Sequence, residues 1–150
     1  MKEIIIKKED AVFWMDANGR WHNQHGEFEH KRVIDYFNRS IQHDADGYFV
    51  SQQRGELIEK VYFPYEETAF FVVGVVTNND VWLLLNTGKK IALDPKSLTI
   101  KNDSLFIQAD NQLIKFNDRS MIKLSNLFEE KDGQFLIRLH GQDYPIPSVE

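Results

Sequence analysis

The sequence contains no cysteine, which excludes disulfides, thiolate metal ligands and a cysteine nucleophile. It also lacks a long hydrophobic run. The longest apolar stretches are residues 69–76 and 81–85, far shorter than the roughly 20 residues that a membrane-spanning helix needs. Residues 1–10, MKEIIIKKED, contain only three consecutive apolar residues, too few for the core of a signal peptide. We therefore expect no membrane association and a cytoplasmic location.

Basic side chains are too few and too scattered for a nucleic-acid surface. The 18 Lys and Arg stand against 23 Asp and Glu, which gives a formal charge of −5, and no basic run supplies the phosphate contacts of non-specific nucleic-acid binding. We expect no nucleic-acid partner. The content of 42% hydrophobic and 13% aromatic residues is that of a globular protein.

Two segments follow the same order of patterns. Residues 13–50 and 106–137 each read as an apolar strand, an Asp/Asn turn, a second strand, an amphipathic helix, an Asp-Gly turn and a third strand. Because similar units usually pack around a shared core, we predict an α+β fold with two related strand-helix-strand repeats and largely antiparallel β-sheets. Residues 1–150 are expected to form a single compact domain, with repeats of about 12–63 and 105–146 joined by a central β-hairpin region.

Apolar periodicity places the helices. The residues that recur every four positions in the first copy are Val33, Phe37 and Ile41. This spacing predicts a helix over about residues 29–42. A shorter second helix is expected to begin near Asp118 or Ser120 and to extend to Phe128. Between the copies, apolar residues flank the turn-forming residues 77–80, which predicts the central hairpin.

No motif reaches the level of a catalytic or metal-binding signature. Four histidines, at positions 22, 25, 30 and 43, lie near aspartates in the first copy, but their spacing matches no zinc motif. The loop around Asp46-Gly47 lacks the carboxylates of a calcium loop, and Gly88-Lys89 lacks the second glycine of a phosphate loop. We predict no metal site, no cofactor and no catalytic residue.

Large aromatic residues give the more useful signal, because they line ligand cavities as well as cores. Trp21 and Tyr65 lie near predicted turns, where they are placed to border a cleft between the repeats. Acidic residues surround the aromatic segment 62–65. The residues predicted to bind a ligand are Trp21, His22, Tyr48, Tyr65, Glu67 and Asn86.

Short motifs in residues 16–70 follow a known pattern. They are residues 16–22 (DANGRWH), 26–28 (GEF), the apolar helix residues 33, 34 and 37, the turn 44–48 (DADGY) and residues 65–70 (YEETAF). They resemble a bacterial family of unknown function, domain-of-unknown-function family 1285, although the family's Pro in the last motif is missing at Thr68-Ala69. The resemblance implies a cytoplasmic α+β protein with repeated structural motifs and a role in ligand sensing or signalling. It transfers no catalytic residue.

We expect a non-catalytic ligand-binding or regulatory module that recognises a small molecule or a protein partner, with signal transduction as one setting. Two alternatives stay open. One is a small cytoplasmic enzyme that uses Glu66, Glu67 or His22 as general acid or base in an inter-repeat cleft. The other is a homo-oligomeric adaptor, such as a homodimer, that associates through a strand edge or a Phe-rich surface.

Overall fold

Strands dominate the structure, and two α-helices interrupt them within residues 2–149. The chain is represented by a computed structural model, which describes residues 2–149. It divides into an N-terminal unit that ends at Ala69 and a C-terminal unit that begins at Phe70. The predicted α+β class is confirmed as a mostly β protein with largely antiparallel sheets. The single domain predicted for residues 1–150 stays a prediction.

Residues 2–69 of the N-terminal unit form two sheets, one α-helix and a short 3-10 helix at Lys8–Asp10. Its elements are β1 (Lys2–Ile6), β2 (Phe13–Met15), β3 (Trp21–Asn23), β4 (Gly26–Glu27), α1 (Lys31–Arg39), β5 (Ile41–Asp44), β6 (Gly47–Arg54) and β7 (Leu57–Tyr62). The larger sheet has the order β1-β7-β6-β5, and the smaller has the order β2-β3-β4. Strand β1 runs parallel to β7, while the other neighbours are antiparallel.

Helix α1 is shorter than the predicted 29–42, and the placement of Ile41 on its face is wrong. The amide and the hydroxyl of Ser40 both donate to the carbonyl of Tyr36, so they close the last turn. Ile41 is then the first residue of β5, where it pairs with Val50 and is buried. The β-branched side chain of Ile41 therefore stabilises a strand at the point where apolar periodicity alone favours a longer helix.

Residues 70–149 of the C-terminal unit likewise form two sheets, one α-helix and a short 3-10 helix at Pro95–Ser97. Its elements are β8 (Phe71–Thr77), β9 (Val81–Leu85), β10 (Lys90–Ala92), β11 (Thr99–Lys101), β12 (Ser104–Ala109), β13 (Gln112–Phe116), α2 (Asp118–Ser125), β14 (Phe128–Lys131), β15 (Gln134–Leu139), β16 (Gln142–Pro145) and β17 (Ser148–Val149). One sheet has the order β10-β9-β8-β13-β12-β11-β17, and the other has the order β14-β15-β16. Leu124 of α2 is fully buried in the core of this unit.

The central hairpin forms as the sequence predicts. Strands β8 and β9 pair antiparallel, with a register shift between Val72 and Gly74. Helix α2 begins at Asp118, as predicted, because the side chain of Asn117 accepts a hydrogen bond from the amide of Ser120. The extension of this helix to Phe128 is wrong, since Phe128 begins β14 and pairs with Ile137.

The two Asp-Gly turns form where predicted, but each follows a strand, β5 or β14, where the predicted order has the helix directly before the turn. Gly47, where β6 begins, has φ +126°, a backbone conformation that residues with a side chain rarely adopt. Asp132 and Gly133 both have positive φ between β14 and β15, as a tight two-residue hairpin turn requires. Within residues 2–149, no helix is long and apolar enough to cross a membrane.

Candidate functional site

A cavity of about 570 Å³ lies within the N-terminal unit. Its walls come from β2, helix α1, the turn between β3 and β4, and one face of the larger sheet. Its volume falls within the range of about 300–1,000 Å³ that is typical of small-molecule sites. The cavity is therefore the candidate functional site of this unit.

The floor of the cavity is the face of the sheet that carries alternate residues of β6 and β7. Paired residues in a sheet point to the same side, and the register matches Val50 with Val61 and Gln52 with Glu59. Arg54 lies one step further along β6 on the same face. Along the strands the floor therefore begins with the buried side chains of Val50 and Val61. The amide of Gln52 and the carboxylate of Glu59 follow, and the guanidinium of Arg54 comes last.

Aromatic side chains form the apolar end of the cavity. Phe13 of β2 and Phe37 of α1 meet edge to face with ring centroids 5.0 Å apart, and Phe28 meets Phe37 in the same way at 5.1 Å. Phe28 and Phe37 remain half-buried, whereas Phe13 is buried. Ile6 of β1 and Val61 of β7 complete this apolar wall.

The polar end contains side chains with few partners. Glu59 has 24% of its side chain exposed, and the side chain of Arg54 is 69% exposed. Arg54 Nε lies 4.0 Å from Glu59 Oε2, too long for a hydrogen bond. Within residues 2–149, the side chains of Gln52 and Glu59 form no hydrogen bond. Asp10 and His25 are the exposed charged or titratable residues elsewhere on the lining.

The opposite face of the same sheet carries a polar network. Asp44 Oδ2 accepts hydrogen bonds from Lys60 Nζ at 2.8 Å and from the Tyr62 hydroxyl at 2.7 Å. The Lys60 ammonium also lies 4.2 Å from the centroid of the Phe49 ring. The hydrogen bonds from Lys60 and Tyr62 lower the pKa of Asp44 to about 2. This network lies beneath the floor and does not reach the cavity.

Two of the predicted ligand residues, Tyr48 and Tyr65, lie together. Their ring centroids are 4.7 Å apart in an edge-to-face arrangement. The Tyr48 hydroxyl is 2.8 Å from Thr68 Oγ1, and burial raises the pKa of Tyr48. Tyr48 is buried and Tyr65 is half-buried, and neither residue lines the cavity.

Trp21, another predicted ligand residue, lies in the core of the N-terminal unit with 1% of its surface exposed. Its ring packs against Phe37 at 5.2 Å and against Phe63 at 4.7 Å between centroids. Its indole Nε1 donates a 2.7 Å hydrogen bond to Asn38 Oδ1. Trp21 thereby anchors helix α1 to β3, and it does not line the cavity.

His22 points to the other side of its hairpin from Trp21, because successive strand residues alternate. Its Nε2 lies 2.7 Å from Asp16 Oδ2, and its ring stacks on Trp14 at 5.9 Å between centroids. Burial acts to raise the pKa of Asp16, but hydrogen bonds from His22 and from the Arg20 and Asn18 amides outweigh it and lower the pKa. The pair closes the β2–β3 turn and lies outside the cavity.

The last two predicted residues, Glu67 and Asn86, lie in different units. Glu67 is exposed and belongs to the N-terminal unit. Asn86 belongs to the C-terminal unit, where it is buried, and its Oδ1 accepts a 3.0 Å hydrogen bond from the amide of Phe71. Neither residue lines the cavity of the N-terminal unit. The assignment of all six residues to a ligand site stays a prediction.

The motifs of the sequence do not identify the polar side chains that line the cavity, although one signal for them is present. Residues 57–62 (LIEKVY) form a strand, and alternation along it places Glu59 and Val61 on one face. The four histidines at positions 22, 25, 30 and 43 are not gathered at one point. Among residues 2–149, no three His, Asp or Glu side chains are arranged to share a metal ion.

The chain is an α+β protein whose N-terminal unit contains an open cavity of small-molecule size. Its structure is similar to that of a DUF1285 family protein from Silicibacter pomeroyi, with a TM-score of 0.64 and 13% identity, over 97% of this chain and 83% of that one. It is also similar to a DUF1285 family protein from Shewanella baltica, with a TM-score of 0.53 and 15% identity, over 77% of this chain and 91% of that one.

No family model matches the sequence. No curated protein matches it either. The similarity to the two crystal structures is therefore one of fold, and at that level the resemblance predicted from residues 16–70 is confirmed.

Proposed function

We propose that this chain is a non-catalytic binding module that takes up a small molecule in the cavity of its N-terminal unit. The observation that carries this proposal is the division of the cavity into an aromatic end and a polar end. Apolar walls supply the affinity of most small-molecule sites, and a few polar groups orient the ligand. Gln52 and Glu59 are such groups, because their side chains make no hydrogen bond within residues 2–149.

The aromatic wall supports a ligand site over ordinary surface. A large apolar side chain gains free energy when its contact with water is removed, at roughly 25 cal/mol per Å². Phe28 and Phe37 are only half-buried, and both line the cavity. A ligand that covers them gains this contribution without any rearrangement of the sheet.

The residues predicted as acid–base groups for the enzyme alternative do not line the cavity. His22 is paired with Asp16 on the outer side of the β2–β3 hairpin. Glu66 and Glu67 are exposed residues outside the lining. The three residues named for the enzyme alternative therefore lie outside this cavity, whose own titratable residues include Asp10, His25 and Glu59.

The proposal is tested by NMR with a panel of neutral aromatic fragments. Binding is expected to shift the amide resonances of Phe13, Phe37 and Val61. The variant Ala11→Phe fills the cavity from its half-buried loop wall, so it is expected to abolish these shifts. The matched control Ala17→Phe places the same ring on an exposed turn and is expected to leave them unchanged. Equal fragment binding by both variants, or no binding by the unaltered protein, would overturn the proposal.

The predicted repeat is part of this proposal. Each unit contains a hairpin, then a helix, then three consecutive antiparallel strands: β2-β3, α1 and β5-β6-β7 in one, and β12-β13, α2 and β14-β15-β16 in the other. The shared order supports related repeats of about 12–63 and 105–146. A regulatory role in signalling would then use ligand occupancy of the first copy as its input.

A further inference from the structure

The polar end of the cavity contains two opposite charges side by side. Arg54 Nε is 4.0 Å from Glu59 Oε2, so the charges are neighbours without a hydrogen bond between them. Both side chains lie on the cavity face of the sheet, and Glu59 is directly opposite Gln52. These side chains are therefore available to a ligand that has hydrogen-bonding groups of both kinds.

The geometry points to an α-amino acid with a large apolar side chain as the ligand, an inference that rests on the proposed function and adds the ligand class to it. An ammonium group has three donors and no acceptor, and a carboxylate has acceptors only. The ammonium of an amino acid complements the Glu59 carboxylate and the Gln52 amide oxygen. Its carboxylate complements the planar fork of Arg54, which binds such groups through two parallel hydrogen bonds.

The order of the charges also gives the orientation of the ligand. Glu59 is next to the buried valine row and is the less exposed of the two charged residues, while Arg54 lies further out. The ammonium therefore lies deeper and the carboxylate lies nearer the solvent. The apolar side chain extends towards Phe13, Phe28 and Phe37, whose edge-to-face contacts offer a further aromatic ring the same geometry.

Ligands with a single charge fit this arrangement less well. An apolar carboxylic acid brings its anion close to Glu59, and like charges in a half-buried site repel. An apolar amine satisfies Glu59 but leaves Arg54 with no new partner. Asp10 is exposed on the same lining and adds a second carboxylate to it.

The test compares four ligands by titration calorimetry, with NMR for the weaker ones. They are L-phenylalanine, 2-phenylethylamine, 3-phenylpropanoate and the neutral benzyl alcohol. Each charge-assisted hydrogen bond contributes enough for about a tenfold change in affinity. L-Phenylalanine is therefore expected to bind about tenfold more tightly than either analogue with one charge.

Two variants test which side chain binds each charged group of the ligand. Glu59→Gln is expected to weaken L-phenylalanine about tenfold and to leave 3-phenylpropanoate unchanged or tighter. Arg54→Met is expected to weaken L-phenylalanine by a similar factor and to leave 2-phenylethylamine unchanged. The matched control is Glu56→Gln, an exposed change of the same type outside the cavity. Far-UV circular dichroism confirms that each variant is folded.

The outcomes separate this inference from the proposed function. If benzyl alcohol binds and the three charged ligands bind no more tightly, the amino-acid inference is overturned and the small-molecule site stands. If none of the four ligands binds, the amino-acid inference and the proposed function are both overturned. If L-phenylalanine binds tightly and both Glu59→Gln and Arg54→Met weaken it, the amino-acid inference and the proposed function are both supported.

Discussion

Replacing Trp21 by Ala tests whether this residue is structural. Only 1% of the surface of Trp21 is exposed, and its ring packs against Phe37 and Phe63. Removal of a buried Trp side chain costs about 3–5 kcal/mol through lost contacts and the remaining cavity. We therefore expect the free energy of unfolding to fall by about that amount, a large share of the roughly 5–15 kcal/mol of a typical domain.

The matched control is Trp14→Ala, which removes the same side chain from the adjacent strand. Trp14 is 40% exposed, and its ring stacks on His22, so the expected loss is below about 1 kcal/mol. Urea unfolding followed by far-UV circular dichroism measures both losses without depending on tryptophan fluorescence. Comparable losses for the two variants would show that the core assignment of Trp21 is wrong.

Trp21→Phe is a milder substitution that still gives a measurement if Trp21→Ala does not fold. Trp21→Phe keeps one aromatic ring but removes the indole N–H that donates to Asn38 at 2.7 Å. We expect a loss of about 1–2 kcal/mol, of which the hydrogen bond contributes about 1 kcal/mol. A loss below about 0.5 kcal/mol would contradict both the hydrogen bond and the tight packing.

Two further predictions concern Asp44 and helix α2. The folded-state pKa of Asp44, about 2, lies below its ordinary value of 3.8, so its contribution is present above about pH 4 and is lost as the pH falls towards 2. Asp44→Asn should therefore be less stable than the unaltered protein at pH 6, by a difference that shrinks below pH 4 in urea unfolding; the matched control is Asp46→Asn, which changes an exposed carboxylate of the same turn. Asn117→Ala should cost about 1 kcal/mol in the same assay, because the cap on the amide of Ser120 is lost; the C-terminal change Asn126→Ala should cost clearly less.

The elements that local patterns define were predictable from the sequence. The hairpin of β8 and β9 and the start of α2 at Asp118 follow from turn and capping residues. The ends of the helices were not, because Ile41 and Phe128 satisfy helical spacing as well as strand pairing. Tertiary pairing decides between these two states, and residues close in sequence do not reveal it.

The candidate site was harder to predict for the same reason. Phe37 was recognised on a helix face, but its proximity to Phe13 depends on the packing of α1 against the small sheet. The contribution of Ile6 depends on the parallel pairing of β1 with β7, which joins residues more than fifty positions apart. Aromatic residues near turns stand out in the sequence, whereas the polar end of the cavity is encoded only by the alternation of residues along β6 and β7.

Alternate residues of β7 face the cavity on one side of the sheet and the polar network of Asp44 on the other. Glu59 and Val61 point into the cavity, while Lys60 and Tyr62 point to Asp44 on the other side of the sheet. A slip by one residue would exchange these sets and present Lys60 to the aromatic wall. Because such a slip also separates Asp44 from its cation, the ion pair distinguishes the correct alignment from the shifted one. Asp44 thus favours the alignment in which Glu59, and not Lys60, faces the cavity.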